Sequence, residues 1–190
     1  RNNAIMRQRG GVSLRVVRVA SRRAKPEIDL HGAHFSTNIE DLLTDPNVMI
    51  LELIGGDTTA LDLIRRGLAA NKPVVTANKA ILAVHGNELM AGRGRQLLRF
   101  EAAVAGAIPI IQCLSGGLAA NRLGGLFGII NGTCNYIFGE MEANGTAFDE
   151  VLAEAQRLGY AEADPSFDID GIDAAHKLTI LLALGFTGSF

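Results

Sequence analysis

The residues best equipped for chemistry cluster late in the sequence. Between Gly159 and Asp173 lie five carboxylates, Glu162, Asp164, Asp168, Asp170 and Asp173, and an apolar run containing Lys177 follows. Asp173 and Lys177 are four residues apart, so on a helix they share a face. That face borders Ala174, Leu178 and Leu181, and a lysine turned toward such a core is stable only when paired. The two are therefore either a charged pair inside a cleft or an exposed pair on a helix surface. Ser166, Asp168, Asp170 and Gly171 also match the opening positions of an EF-hand loop. Its last position would be Lys177, where calcium needs a bidentate glutamate, and that excludes the reading.

Three other stretches carry candidate groups. Thr76-Ala77-Asn78-Lys79 follows a β-rich run directly, which places Lys79 at the ligand-facing edge of a sheet. A lysine there contacts a cofactor or polarises a carbonyl, unless it is a plain surface lysine. Ser21-Arg22-Arg23-Ala24-Lys25 follows another such run; arginines in this place suit the 2′-phosphate of NADP, where an acid would suit the ribose of NAD. The alternative is a solvated basic turn. Glu101 is the one charged residue in the stretch Glu101 to Pro109 and needs a hydrogen-bond network, a lysine or a cation as partner. Small residues after it allow backbone carbonyls to approach an ion.

Strands are expected over Val12–Ala20, Val48–Ile54, Pro73–Thr76 and Leu97–Val104. Helices are expected over Ile39–Leu43, Thr58–Ala70 and Ala80–Ala91. Leu61, Ile64 and Leu68 recur at helical spacing, so one face of the second helix is buried. Strands alternating with helices predict a doubly wound parallel sheet, with ligands at the carboxyl ends of its strands. No strand runs into G-x-G-x-x-G. The nearest match, Gly92 to Leu97, follows a helix and precedes a strand, the reverse of what phosphate binding requires, and reads as a turn. Further on, Leu123–Ile130 reads as a glycine-diluted strand and a helix starts at Asn131, whose side chain can cap it. Ala147–Leu158 forms a helix ended by Gly159, and Gly171–Leu184 forms another with an aspartate at its start. The fold class expected is α/β, an incomplete Rossmann-type nucleotide-binding domain over 1–105 followed by part of an α+β substrate and dimerisation domain over 106–190.

Composition narrows the partners. A formal net charge of -2 and 20% charged residues argue against a nucleic-acid surface, and no apolar run reaches membrane-spanning length. The basic start, Arg1 to Arg9, lacks the apolar stretch of a secretory signal. Cys113 and Cys134 have neither C-x-x-C spacing nor flanking histidines, which argues against zinc, and both are expected to be reduced, buried thiols. These features fit a cytoplasmic protein with no nucleic acid or membrane partner.

Five longer motifs then combine: TANKAILA (Thr76 to Ala83), FEAAVAGAIPII (Phe100 to Ile111), GIINGTCNYIF (Gly128 to Phe138), GYAEADP (Gly159 to Pro165) and DIDGIDAAHK (Asp168 to Lys177). In this order and spacing the chain closely resembles the homoserine dehydrogenases. The resemblance implies NAD(P)-dependent interconversion of L-homoserine and L-aspartate 4-semialdehyde, on the route to threonine and methionine, usually in a homodimer. It implies Lys177 as proton donor and acceptor, with Lys79 able to share that role. It implies substrate contacts from Glu162, Asp173, Asp168, Gly132 and Thr133, and cofactor contacts from Lys79 and Gly159, to which the basic turn adds Arg22 and Arg23. It also implies a monovalent cation, sodium, held by Glu101 and the backbone oxygens of Val104, Gly106 and Ile108. The glycine loop and the later strands of the family are not among these residues, so the reading expects a fragment with little dehydrogenase activity by itself. The rival expectations are a non-catalytic remnant or dimerisation module of the same fold, or a dehydrogenase of another amino acid.

Overall fold

The computed structural model describes residues 2–45 and 48–189. The chain divides into two compact units, Arg1–Ile50 and Leu51–Phe190. In the first, helix α1 (Asn3–Gly10) ends where Gly11 takes the left-handed conformation. The Asn3 side chain then ties to Leu14, donating to its carbonyl at 2.6 Å and accepting its N–H at 2.8 Å. Strands β1 (Arg18–Ala20) and β2 (His34–Ser36) pair in parallel, Arg18 opposite His34 and Ala20 opposite Ser36. The strand expected from Val12 is thus only its last three residues. Val12, Leu14 and Val16 are exposed, and a strand persists only where a neighbour takes its backbone hydrogen bonds. The helix expected at Ile39–Leu43 is a 3₁₀ turn, Ile39–Leu42, which Asn38 caps by accepting the Glu40 N–H.

A second sheet, in the second unit but for Ile50, has the order β3 (Ile50–Glu52), β4 (Val74–Thr76), β5 (Leu98–Arg99). β4 and β5 are parallel, Val74 opposite Leu98. Helix α2 (Thr58–Ala69) buries Ala60, Leu61, Leu63, Ile64 and Gly67. Removing each of the larger apolar side chains from water stabilises the fold by about 1.5–3 kcal/mol. Helix α3 (Lys79–Leu89) begins at Asn78, whose Oδ1 accepts the Ile81 N–H at 3.2 Å. The segment Gly92–Leu97 forms a turn and then one turn of helix, α4 (Gly94–Leu97), leading into β5. Gly94 is there because a Cβ would lie 1.8 Å from the Leu89 carbonyl oxygen, so the glycine serves packing.

β5 is shorter than its apolar run. After Arg99 the chain bends into a 3₁₀ turn (Glu101–Ala103), because the Glu101 carboxylate accepts the N–H groups of Ile111 and Gln112 and folds the backbone back. Helix α5 (Ile110–Gln112) follows and widens into a π-helical turn, Cys113–Gly117. The strand expected at Leu123–Ile130 is irregular backbone, with Phe127 and Ile129 exposed. Its β-like composition finds no strand neighbour among the described residues.

Helices α6 (Gly132–Asn144) and α7 (Phe148–Leu158) pack around Ile137, Val151, Ala155 and Ala161. Gly159, at φ 80°, ends α7. A single turn, α8 (Ser166–Ile169), precedes α9 (Ile172–Leu182), which packs against α3. Among the described residues no helix is long and apolar enough to cross a membrane.

Candidate active site

The packing of α9 on α3 brings together two lysines that are 98 positions apart in the sequence. Asp173, in the first turn of α9 and 5% exposed, lies between them. Its Oδ1 is 3.0 Å from Lys79 Nζ, and its Oδ2 accepts from Lys177 Nζ at 2.6 Å. The Asp173–Lys177 pair is thus partly buried and shared with a second cation. Lys177 also donates to the Ile130 carbonyl at 2.6 Å. An ammonium has three N–H donors, so one remains on Lys177. Lys79 Nζ sits 5.7 Å from the centre of the Phe167 ring, whose other neighbour is His176 in edge contact.

Asn131 joins this centre to the start of α6. Its Oδ1 caps the helix by accepting the Cys134 N–H at 2.8 Å, as expected. Its Nδ2 also donates to Asp173 Oδ2 at 2.9 Å and to Asp168 Oδ1 at 2.8 Å. That bridging role is the part sequence reasoning missed, although the cap pointed to the residue. Thr133 Oγ1 lies 2.8 Å from the Tyr160 carbonyl and 3.1 Å from Asp168 Oδ2, two acceptors for one hydroxyl proton. Gly159, the end of α7, sets the position of Tyr160 in this contact.

Opposing effects act on the Asp173 carboxyl. Burial pushes it toward the neutral form, but hydrogen bonds from Lys177, Asn131 and Lys79, with the Lys177 charge, outweigh burial and hold it below the usual aspartate range. It is an ionised acceptor at neutral pH. Cys134 moves the other way: burial and the charges of Asp168 and Asp173 raise its thiol. Both cysteines are free, yet neither is buried as expected; Cys134 is half-buried and Cys113 exposed. Cys113 stands on the outer side of the π-helical turn, whose inward face is taken by Leu114.

Lys79 and Lys177 face a cleft of about 340 Å³ that Gly132, Gly106 and Ala77 also line. Asp168 and Thr133 belong to the hydrogen-bond network behind it. Among the described residues Glu162 does not join the network: its side chain is exposed, and its carbonyl accepts from the Gln156 amide at 3.0 Å. Arg22, Arg23 and Lys25 belong to the first unit, in an exposed turn after β1. Glu101 uses one oxygen on Ile111 N–H and the other on Gln112 N–H, both at 2.9 Å. Val104 is buried, Ile108 exposed, and the Ile108 carbonyl accepts the Ile110 N–H at 2.8 Å. Between them Ala105 and Gly106 both have positive φ. Among the described residues no group of three or more His, Cys, Asp and Glu side chains could hold a metal.

The arrangement is therefore two ammonium groups sharing one ionised carboxylate at the mouth of a cleft, next to the carboxyl end of β4. Chemically it can stabilise a developing oxyanion and deliver a proton to it. Comparison with known proteins gives this chemistry a context. The family model for the homoserine dehydrogenase NAD-binding domain matches residues 2–96, and the one for homoserine dehydrogenase matches residues 109–190. The homoserine dehydrogenase of Pseudomonas aeruginosa is 49% identical over 189 residues, 98% of this chain and 44% of that protein. That of Synechocystis is 44% identical over 180 residues, 93% of this chain and 42% of that protein. A crystal structure of homoserine dehydrogenase from Thiobacillus denitrificans matches with a TM-score of 0.86 at 50% identity, covering 97% of this chain and 45% of the other. A hyperthermophilic archaeal homoserine dehydrogenase in complex with NADPH matches with a TM-score of 0.66 at 29% identity, covering 74% of this chain and 44% of the other. The chain thus spans somewhat under half the length of these relatives, and across nearly all of its own length it belongs to the homoserine dehydrogenase family.

Proposed function

We propose that the protein interconverts L-homoserine and L-aspartate 4-semialdehyde with NADP(H), and that these residues supply its proton-transfer centre. The observation that carries the proposal is the pair Lys79 and Lys177 on one Asp173 carboxylate at the edge of the cleft. When bound, the nicotinamide would supply the hydride chemistry needed at the substrate's carbonyl carbon. Lys177 keeps one N–H for the substrate oxygen, stabilises alkoxide charge there and passes it a proton. In the reverse direction it takes the hydroxyl proton. Asp173 holds Lys177 and Lys79 in place; Gly132 lines the cleft, and Asp168 and Thr133, in the network joined to Asp173, with the exposed Glu162 would meet the substrate's α-ammonium and carboxylate.

The cofactor fits what is present: β3 and β4 both end in open strand–helix crossovers, Gly55–Gly56 with positive φ and Ala77–Asn78 beside the cleft. Lys79 and Gly159 would border the nicotinamide half, and in the first unit Arg22 and Arg23 carry the kind of charge that suits a 2′-phosphate. The proposal includes the division at 1–105 and 106–190, a cytoplasmic homodimer, and a sodium ion at Glu101, Val104, Gly106 and Ile108. Each Glu101 oxygen already accepts one N–H but retains a second lone pair for an ion.

Steady-state kinetics of the whole protein with homoserine and NADP tests the reading. Lys177→Ala is expected to lower kcat about a hundredfold or more, the scale for losing a positioned acid. Turnover close to that of the parent protein would move the proton to Lys79 or to water.

A further inference from the structure

The proposed mechanism makes no use of the most deeply buried carboxylate among the described residues. Glu52, at the end of β3, is 1% exposed. A carboxylate survives there only if both oxygens are engaged. Oε1 accepts the Ile54 N–H at 2.7 Å, and Oε2 accepts the Thr76 hydroxyl at 2.5 Å. Having given its proton to Glu52, Thr76 Oγ1 is left as an acceptor and takes the Asn78 N–H at 3.0 Å. The Asn78 side chain then works on two elements: Nδ2 donates to the Gly56 carbonyl at 2.6 Å, and Oδ1 accepts the Ile81 N–H. Donor and acceptor types agree at every link. The result is one polar path from the buried carboxylate to both strand–helix crossovers, and the residue after Asn78 is Lys79.

We infer that Glu52 is a positioning residue for Lys79: through Thr76 and Asn78 it fixes the first turn of α3, and so the place at which the Lys79 ammonium meets Asp173. An apolar side chain could fill the same volume, but it would leave the Ile54 N–H and the Thr76 hydroxyl without acceptors. Glutamine fails for a subtler reason. It has one oxygen where glutamate has two, so an amide NH₂ must face either the Ile54 N–H or Thr76. In the second case Thr76 Oγ1 accepts twice and its own proton is left unpaired. Glu52→Gln therefore interrupts the path at nearly constant volume.

The kinetic part of the inference rests on the proposed dehydrogenase activity; the structural part does not. Hydrogen exchange of the whole protein, read by mass spectrometry, follows the amides of residues 78–82, with those of α7 as an internal control. Thr76→Val removes the hydroxyl with little change of shape. It and Glu52→Gln are expected to speed exchange at 78–82 about tenfold while α7 is unchanged, and Thr76→Ser should restore the parent rate. If Glu52→Gln unfolds the protein, the Thr76 pair still decides. In kinetics, Thr76→Val is expected to lower kcat about tenfold or more. Combined with Lys79→Ala, it should add no further loss beyond Lys79→Ala alone. Unchanged exchange at 78–82 in Thr76→Val overturns the positioning role. Losses that multiply in the double variant overturn its route through Lys79. Should the parent protein fail to oxidise homoserine, the functional reading falls, and the exchange experiment still decides whether Glu52 holds this turn.

Discussion

At the scale of single residues, Asp173 ties the site together because, among the described residues, it accepts from Lys79, Lys177 and Asn131 alike. Its carboxyl is depressed in the folded state, so its stabilisation is present above the unfolded value of about 3.9 and is lost as pH falls through the lower folded value. Asp173→Asn is expected to destabilise the protein by about 3 kcal/mol at neutral pH, since two part-buried ammonium groups lose their counter-charge. The difference between variant and parent should shrink as pH drops below about 4. Urea titrations across that range measure it, and a constant difference would show that the carboxylate charge is not what matters. The basic turn makes a separate prediction. Replacing Arg22 and Arg23 together by Ala is expected to raise KM for NADPH about tenfold and leave that for NADH nearly unchanged, because the proposed contact is with a phosphate only NADPH carries. Equal changes for both cofactors would place the 2′-phosphate elsewhere.

At the scale of elements, the site depends on how helices start. α3 begins beside Lys79, α6 beside Gly132 and Thr133, and α9 just before Asp173. All three starts converge on the cleft or the network behind it. Asn78 and Asn131, which cap two of them, are of a residue type that favours this position. What each cap's amide nitrogen binds was not legible, because those partners come from other elements. The same holds for Gly94. As part of a G-x-G run it suggested phosphate chemistry, and its position between helix and strand excluded that. Its actual reason, contact with the Leu89 carbonyl, is tertiary. Gly94→Ala is accordingly expected to destabilise the fold by at least about 1–3 kcal/mol without changing KM for either substrate in the variant that remains folded. Thermal unfolding and kinetics together check this; a raised cofactor KM would reopen a phosphate role for the loop.

At the scale of the whole molecule, the 190 residues span 44% of the Pseudomonas relative. Expressed by themselves they are expected to bind NADPH weakly and turn over slowly. A pyrophosphate is held chiefly by N–H groups of a glycine loop and the helix that follows it, and misplacing a hydride donor by ~1 Å costs about a hundredfold in rate. Titration with NADPH followed by an assay with homoserine is the check. Tight binding with ordinary turnover would mean that Lys79 and the basic turn suffice. Exposed apolar side chains such as Leu51, Leu53 and Phe127 also predict association of the isolated chain in light scattering.

The family and the α/β class were legible in the sequence, because long motifs in order and the alternation of apolar runs are local properties of the chain. So were the buried face of α2, the end of α7 at Gly159 and the Asp173–Lys177 spacing. Strand lengths were not. Val12 to Val16 and Leu123 to Ile130 have strand composition, but a strand exists only where another offers hydrogen bonds, and composition does not say where that neighbour is. The bend at Glu101 was hidden too, since its acceptors' partners lie ten and eleven residues further on, at Ile111 and Gln112. Above all, nothing local announces that Lys79 and Lys177 share one carboxylate. That is decided by the packing of α9 on α3, and packing depends on shape and burial summed over both helices rather than on either motif alone.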